Sequence, residues 1–442
     1  MPDAPAAPAA PAAPAALPLF NLAHRHAPDE VAEPGTAAEV AAAVRRAAGA
    51  GRQVHPVGTG HGWTHPIEGG LALLTRGLAG VRVDAARGSA RIGAGTTWAE
   101  VAEAAAPHGL TPLSGSAPGV GAIGFLLGGG LSPLGRTYGW ASDYVRSAEV
   151  VTGTGEVVSA SASSHPDLFW ALLGGKHVPG VVTAVEVDLL PLTRVYGGGL
   201  FFAAADAEAV LTAWADWSAQ VPDLVNTSVA LLQLPDLPFV PEPLRGRFVV
   251  HVRIAVPLDA TAEPGLAAGL VEPMRTVAEP VLDTLAELPA AAIGAVHADP
   301  DQPMPVLEAG ALLRAFDADA ARAMLAAAGP QSGAPLAVVE VRRLGGRLAQ
   351  APAVPDAVAG RDAAYGLFVI SAPVPELFAG PVPAAVGALA QAMAPWASGT
   401  FQPNFIGALN KPDAWDTAWP SGVAARLDEV RAAYDPAGVI GH

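Results

Sequence analysis

Gly115-Ser116-Ala117-Pro118-Gly119-Val120-Gly121-Ala122-Ile123-Gly124-Phe125-Leu126-Leu127-Gly128-Gly129-Gly130-Leu131 is the stretch that most constrains the fold. Residues 115–130 hold seven glycines. Each glycine costs backbone entropy on folding, so a plain core strand would not carry so many. A flexible linker would not carry Ile123, Phe125, Leu126 and Leu127. The pattern points to backbone pressed against a large planar or phosphorylated ligand.

Upstream, Val54 to Val57 reads as a short strand and leads into Gly58-Thr59-Gly60-His61-Gly62-Trp63. Glycines at this density let backbone N–H groups converge on a phosphate. A tight turn with a surface histidine is the plainer alternative. The segment is not GxGxxG and does not open a helix, which argues against a Rossmann site. Downstream, Leu168-Phe169-Trp170-Ala171-Leu172 and Gly174-Gly175 lead into a strand from Val181 to Leu190, an ordinary helix–loop–strand corner on its own.

Around these stretches the spacing predicts α+β order. Helices are expected over 36–51, 98–110, 205–219 and 318–328, and strands over 54–57, 71–74, 81–83 and 90–92. A hairpin is expected about Gly153-Thr154-Gly155, and strands of one larger sheet over 247–256, 336–344 and 365–371. The organisation expected is a disordered Ala/Pro tail at 1–18, a first domain at 19–193, a second at 194–410, and a segment at 411–442 returning to the first.

Composition excludes several classes. The 442 residues include no cysteine, which removes disulfides, thiolate catalysis and cysteine-ligated metals. Twenty-five basic against 41 acidic residues give a net charge of −16, unsuited to nucleic acid or anionic membranes. No run of strongly apolar residues is long enough to span a bilayer. No Lys or Arg precedes Arg25 and prolines interrupt the amino terminus, so no signal peptide is read and a cytoplasmic location is expected. His61 and His65 have i,i+4 spacing, but Gly62 and Pro66 argue against a helix, so no metal site is expected.

Taken together, Gly58-Thr59-Gly60-His61, Leu127 to Gly130 with Arg136-Thr137-Tyr138-Gly139, Leu168 to Leu172, Gly180-Val181-Val182-Thr183 and the closing Tyr434-Asp435-Pro436 resemble the berberine bridge enzyme-like oxidases. These belong to the vanillyl-alcohol oxidase / p-cresol methylhydroxylase flavoproteins. The likeness covers about residues 20–440 and is strongest in the first half. It implies a two-lobed p-cresol methylhydroxylase-type fold, with FAD between the lobes and an α/β substrate domain built on an antiparallel sheet. It also implies that His61 bonds to the flavin. The family's second, cysteinyl link falls at Ala117, so one covalent link at most is available. Gly58, Thr59, Gly60 and Gly62 would cradle the pyrophosphate. Gly121, Gly124, Gly128, Gly129 and Gly130 would lie against the flavin, Tyr138 would face it or else brace the glycine loop, and Gly180, Val181 and Val182 would line the adenine half.

The chain departs from this family at three places. The aromatic-x-Asn-Phe strand reads Phe401-Gln402-Pro403-Asn404-Phe405, so Gln402 stands two before Asn404, where a tyrosine is common. The Gly-Asn-Phe-Gly turn is replaced by Lys176-His177-Val178-Pro179-Gly180. The chain ends Gly441-His442 in place of the usual Phe-Arg and Asn-rich residues. Candidates for the missing chemistry are Tyr365 as proton carrier, or else a packing tyrosine, and Arg343 as an anion or oxyanion binder, or else an ion-pair partner. His297 is a candidate base oriented by Asp299, or else a plain loop residue, and Gln402 and Asn404 stand beside the flavin. The implied function is hydride transfer from a sizeable secondary-metabolite substrate, a small-molecule natural product, to FAD, with dioxygen as acceptor. A redox-neutral cyclase and a flavin-free binding protein are the alternatives.

Overall fold

The computed structural model describes residues 17–258 and 265–441. The expected disordered tail therefore lies, apart from Leu17 and Pro18, outside the described residues. The first lobe contains β1 (Glu30–Ala32), α1 (Ala37–Gly49), β2 (Val54–Val57), β3 (Leu71–Leu74), β4 (Val81–Asp84) and β5 (Ser89–Gly93). It continues with α2 (Trp98–Ala105), α3 (Ala122–Leu127), α4 (Gly135–Tyr138), β6 (Val145–Thr152), β7 (Val157–Ser161), α5 (Pro166–Leu172) and β8 (Gly180–Asp188). A parallel sheet β1-β3-β2 and an antiparallel sheet β4-β5-β8-β6-β7 form its frame.

The helix starts follow from local chemistry. Thr36 accepts from the Glu39 N–H at the head of α1. Thr97 and Glu100 form a reciprocal capping box at α2. The helix expected to reach Leu110 stops sooner: α2 ends at Ala105, a 3-10 turn covers Ala106–His108, and Gly109 turns left-handed at φ 69°.

The second lobe is built on β9 (Arg194–Ala203), β10 (Asn226–Gln233), β11 (Phe248–Leu258), β12 (Leu282–Asp283), β13 (Ala286–Pro289), β14 (Glu308–Leu313), β15 (Leu336–Arg343) and β16 (Tyr365–Ser371). Its strand order is β12-β9-β11-β10-β15-β16-β14, with β13 also pairing β9, and every pairing is antiparallel. Helices α6 (Ala207–Gln220), α7 (Leu266–Arg275), α8 (Ala318–Ala328) and α9 (Pro381–Met393) join one core with this sheet. Val229, Val252, Val341 and Leu367 point into that core, and alternation turns their neighbours toward the first lobe. A last helix, α10 (Ser421–Tyr434), contacts α5, and Gly441 N–H donates to Val54 O beside β2. Among the described residues no helix is long and apolar enough to cross a membrane.

Candidate functional site

In the first lobe, β2 leads directly into the glycine loop. The carbonyls of Thr59 and Gly60 accept from the N–H groups of Phe20 (2.9 Å) and Asn21 (3.2 Å). Among the described residues, Thr59 to Gly62 donate to no backbone carbonyl. Gly60 has φ +76°, and a Cβ there would strike Leu19, so glycine is required. Thr59 Oγ1 ties the loop to α3 by accepting from Gly121 N–H at 3.1 Å, and it pairs with His61 Nδ1 at 2.8 Å. His61 stacks on Phe20, with ring centroids 3.9 Å apart. Burial pushes the His61 pKa down to about 4 against the opposing pull of Asp299, so the imidazole is neutral at pH 7. A Cβ on Gly62 or Gly124 would meet nothing within 4 Å. Free backbone N–H groups, an open cradle and a neutral imidazole fit a phosphate-bearing cofactor with a nucleophile beside it.

The other glycines answer to packing within the protein. The side chain of Asn404 fills the space beside Gly128, and Gln402 Nε2 donates to Gly128 O. Gly129 abuts Trp140 and Val358, and Gly130 abuts Phe125 and Ala141. All three are expected against the flavin; the side on which a Cβ would stand is filled by protein atoms, so only the remaining face of that backbone is available to a cofactor. Likewise Gly180 presses on β6, while Val181 and Val182 are buried core. Tyr138 closes α4, and its carbonyl accepts from Tyr144 Oη. Ala117 O accepts from Val120 N–H in the turn before α3.

A feature the sequence did not flag stands beside this segment. Lys176 holds a left-handed φ of +55°, and its Nζ donates to Gly124 O (3.0 Å) and Asn404 Oδ1 (2.8 Å). Burial lowers its pKa to about 8. Asn404 is thus anchored from both sides, since its Nδ2 also donates to Phe125 O.

Across the interlobe space, sheet register gathers a polar cluster. One cross-strand row runs Phe201, His251, Ala230, Glu340, Phe368, and the next runs Gly199, Arg253, Ser228, Arg342, Gly366. Both rows lie on the face opposite the helices. Arg342 donates to Glu340 through Nε and Nη2, and Arg253 Nη1 lies 3.3 Å from Glu340 Oε2. His297 Nε2 lies 3.3 Å from Glu340 Oε1. Burial alone would raise the Glu340 pKa, but Arg342 and Arg253, with His297, hold it well below the usual carboxylate range. Burial, assisted by Arg253, keeps His297 neutral. One crevice here is lined by Arg136, Ser228, Arg253, His297 and Arg342. Its neighbour is lined by Glu340, Arg342, Phe368, Gln402 and Phe405.

The other candidates divide. His297 joins the cluster, but its orienting carboxylate is Glu340; Asp299 instead accepts from Ser116 Oγ at 2.6 Å. Gln402 and Asn404 stand at the interlobe seam. Tyr365 does not: it packs with Trp214 and Phe316 on the helix face, and its Oη meets Ser218 Oγ at 3.3 Å. Arg343 is tied to the Ser218 and Ala364 carbonyls and lies over the Tyr365 ring. Among the described residues it forms no ion pair, so the ion-pair alternative finds no partner there. Arg253 and His251 were missed, and alternation along β11 with the register to β15 was the available signal.

Comparison with known proteins places this geometry. Residues 28–161 match the FAD binding domain family. The chain is 44% identical over 130 residues to the FAD-dependent monooxygenase FUP4 of Fusarium proliferatum, covering 29% of this chain and 25% of that protein. It is 35% identical over 212 residues to (R)-6-hydroxynicotine oxidase of Paenarthrobacter nicotinovorans, covering 47% and 43% respectively. These matches span less than half of either relative. The crystal structure of 6-hydroxy-D-nicotine oxidase from Arthrobacter nicotinovorans superposes over 96% of this chain and 92% of its own, with TM-score 0.79 and 24% identity. The chain therefore carries an FAD-binding domain in a two-lobed p-cresol methylhydroxylase-type fold.

Proposed function

We propose that this flavoprotein, of berberine bridge enzyme-like fold, is an FAD-dependent oxidase of a small secondary-metabolite substrate, with FAD joined covalently through His61. The observation that carries the reading is that, among the described residues, the loop N–H groups of Thr59 to Gly62 have no backbone acceptor, and that this loop and the buried polar cluster about Glu340 belong to opposite lobes of one flavin-oxidase fold. FAD, when bound, supplies a two-electron acceptor that dioxygen restores.

The chain's own residues supply orientation and proton handling. Neutral His61, held by Thr59 Oγ1 and Phe20, is the nucleophile for attachment. With no cysteine in the chain, a second link has no donor. Glu340 stays ionised and receives the Nε2–H of His297, which leaves Nδ1, buried and unpartnered, to take the proton a substrate hydroxyl or amine releases. The resulting imidazolium is stabilised by the same carboxylate. Gln402 and Asn404, fixed to Gly128 O and Phe125 O, set the floor between the lobes.

The test is the absorbance of the purified protein before and after acid precipitation, followed by oxygen uptake with alcohols and phenols. Yellow colour retained in the pellet, with oxygen consumed, is the expected result. A colourless protein that takes up no FAD overturns the reading. A second reading, a redox-neutral cyclase, is favoured by one observation: among the described residues no tyrosine lines either crevice. It requires a product of unchanged oxidation state and no oxygen uptake.

A further inference from the structure

We infer that the substrate of the interlobe site carries a carboxylate, received by Arg342 and Ser228 on the second-lobe sheet. The inference rests on the oxidase reading for what the site does, and on charge and hydrogen-bond accounting for what it binds.

Glu340 is the single carboxylate at the cluster, and two guanidiniums, Arg253 and Arg342, share it. Both histidines there, His251 and His297, are held neutral by burial and by Arg253. The cluster therefore keeps one uncompensated positive charge. All four charged or orienting side chains are largely buried: Arg253, Glu340 and His297 are 5% exposed and Arg342 13%. A buried, unpaired charge is costly, and an anionic ligand removes the cost. The remaining arginines of the crevice do not share this role. Arg136 donates to the carbonyls of Val225 and Leu344 and pairs with Asp223, and Arg343 donates to two other carbonyls.

Donors are also left over. Among the described residues, Arg342 Nη1 has no protein acceptor, while its Nε and Nη2 donate to Glu340. Ser228 Oγ is buried, lines the same crevice and has no partner. Ser228 and Arg342 are direct cross-strand partners, so both donors rise from one point of the sheet. Two donors on neighbouring strands of one sheet face can each serve one oxygen of a carboxylate. Phe368 and Phe405, packed edge to face with ring centroids 4.9 Å apart, wall the adjoining crevice for an aromatic or unsaturated body. The net charge of −16 would repel an anion at long range, but at physiological salt that field is screened beyond about 8 Å, whereas the buried cluster is not.

The test titrates benzoate and its neutral analogue benzamide into the FAD-loaded protein, read by calorimetry and by perturbation of the flavin spectrum. Benzoate is expected to bind roughly tenfold tighter than benzamide or better. Arg342→Gln is expected to weaken benzoate by about tenfold to a hundredfold while leaving benzamide little changed. Ser228→Ala removes a hydroxyl without disturbing an ion pair, and is expected to weaken benzoate by roughly threefold to tenfold. It decides the matter if Arg342→Gln fails to fold. Equal binding of the two probes, binding of neither, or benzoate binding unmoved by the folded variants overturns the inference. Loss of the oxidase reading is seen separately, as a protein that holds no flavin.

Discussion

At the scale of single residues, three side chains carry distinct expectations. His61→Ala removes the nucleophile but leaves the glycine cradle, so the protein is expected to stay yellow and to release its flavin into the supernatant on acid precipitation. A flavin still fixed in the pellet would place the link elsewhere. His297→Asn keeps the ring's approximate size and removes the base. It is expected to lower kcat by about a hundredfold or more while moving KM little. In the parent, kcat/KM is expected to fall in acid as His297 protonates, at a pH below the ordinary histidine value because burial lowers its pKa. Asn404 was legible as a candidate site residue, but Lys176, which anchors it, was not. A lysine inside a glycine turn gives no periodic signal; only the close approach of α3 and residue 404 reveals what it holds.

At the scale of elements, the sheet of the second lobe explains both what was read and what was missed. Tyr365 and Arg343 stand on recognisable strands, but their side chains face helix α6, because register and the choice of covered face are tertiary facts. Strand β10 escaped prediction because seven of its eight residues are buried, which erases the alternation that marks a half-exposed strand. On edge strand β14, half-buried Glu308 has its pKa raised by burial to about 7. The folded state thus holds a proton that the unfolded chain releases near pH 4.5. Its stabilising effect is complete below pH 4.5 and is lost as the pH rises through 7. Glu308→Gln is expected to raise the melting temperature at pH 8 by a few degrees, equivalent to about 1–3 kcal/mol, and to change little at pH 4.5. A pH-independent shift in differential scanning calorimetry would refute the assignment.

At the scale of the whole molecule, a few long-range ties hold the lobes in register. Arg136, 3% exposed by side chain, carries bonds from α4 to Val225, Leu344 and Asp223 of the second lobe. Arg136→Ala leaves those carbonyls unpaired and is expected to cost about 3 kcal/mol or more, measured by urea unfolding. Asp435 accepts from Val439 and Ile440 N–H, both at 2.8 Å, and fixes the terminal segment against β2. Asp435→Ala is expected to cost roughly 1–3 kcal/mol and to weaken flavin retention, since β2 leads into the cradle. The sequence by itself determined the flavin-binding half: glycine spacing, the histidine in the loop and the absence of cysteine are properties of local chain chemistry. The tertiary structure alone decided which groups gather in the interlobe crevice. Arg253, Ser228, Arg342 and Glu340 lie on three strands, as many as 114 residues apart from Ser228 to Arg342, and they meet only because antiparallel register places them on one face. Local periodicity reports which residues alternate; only the packed sheet fixes which side is covered and which is left for a ligand.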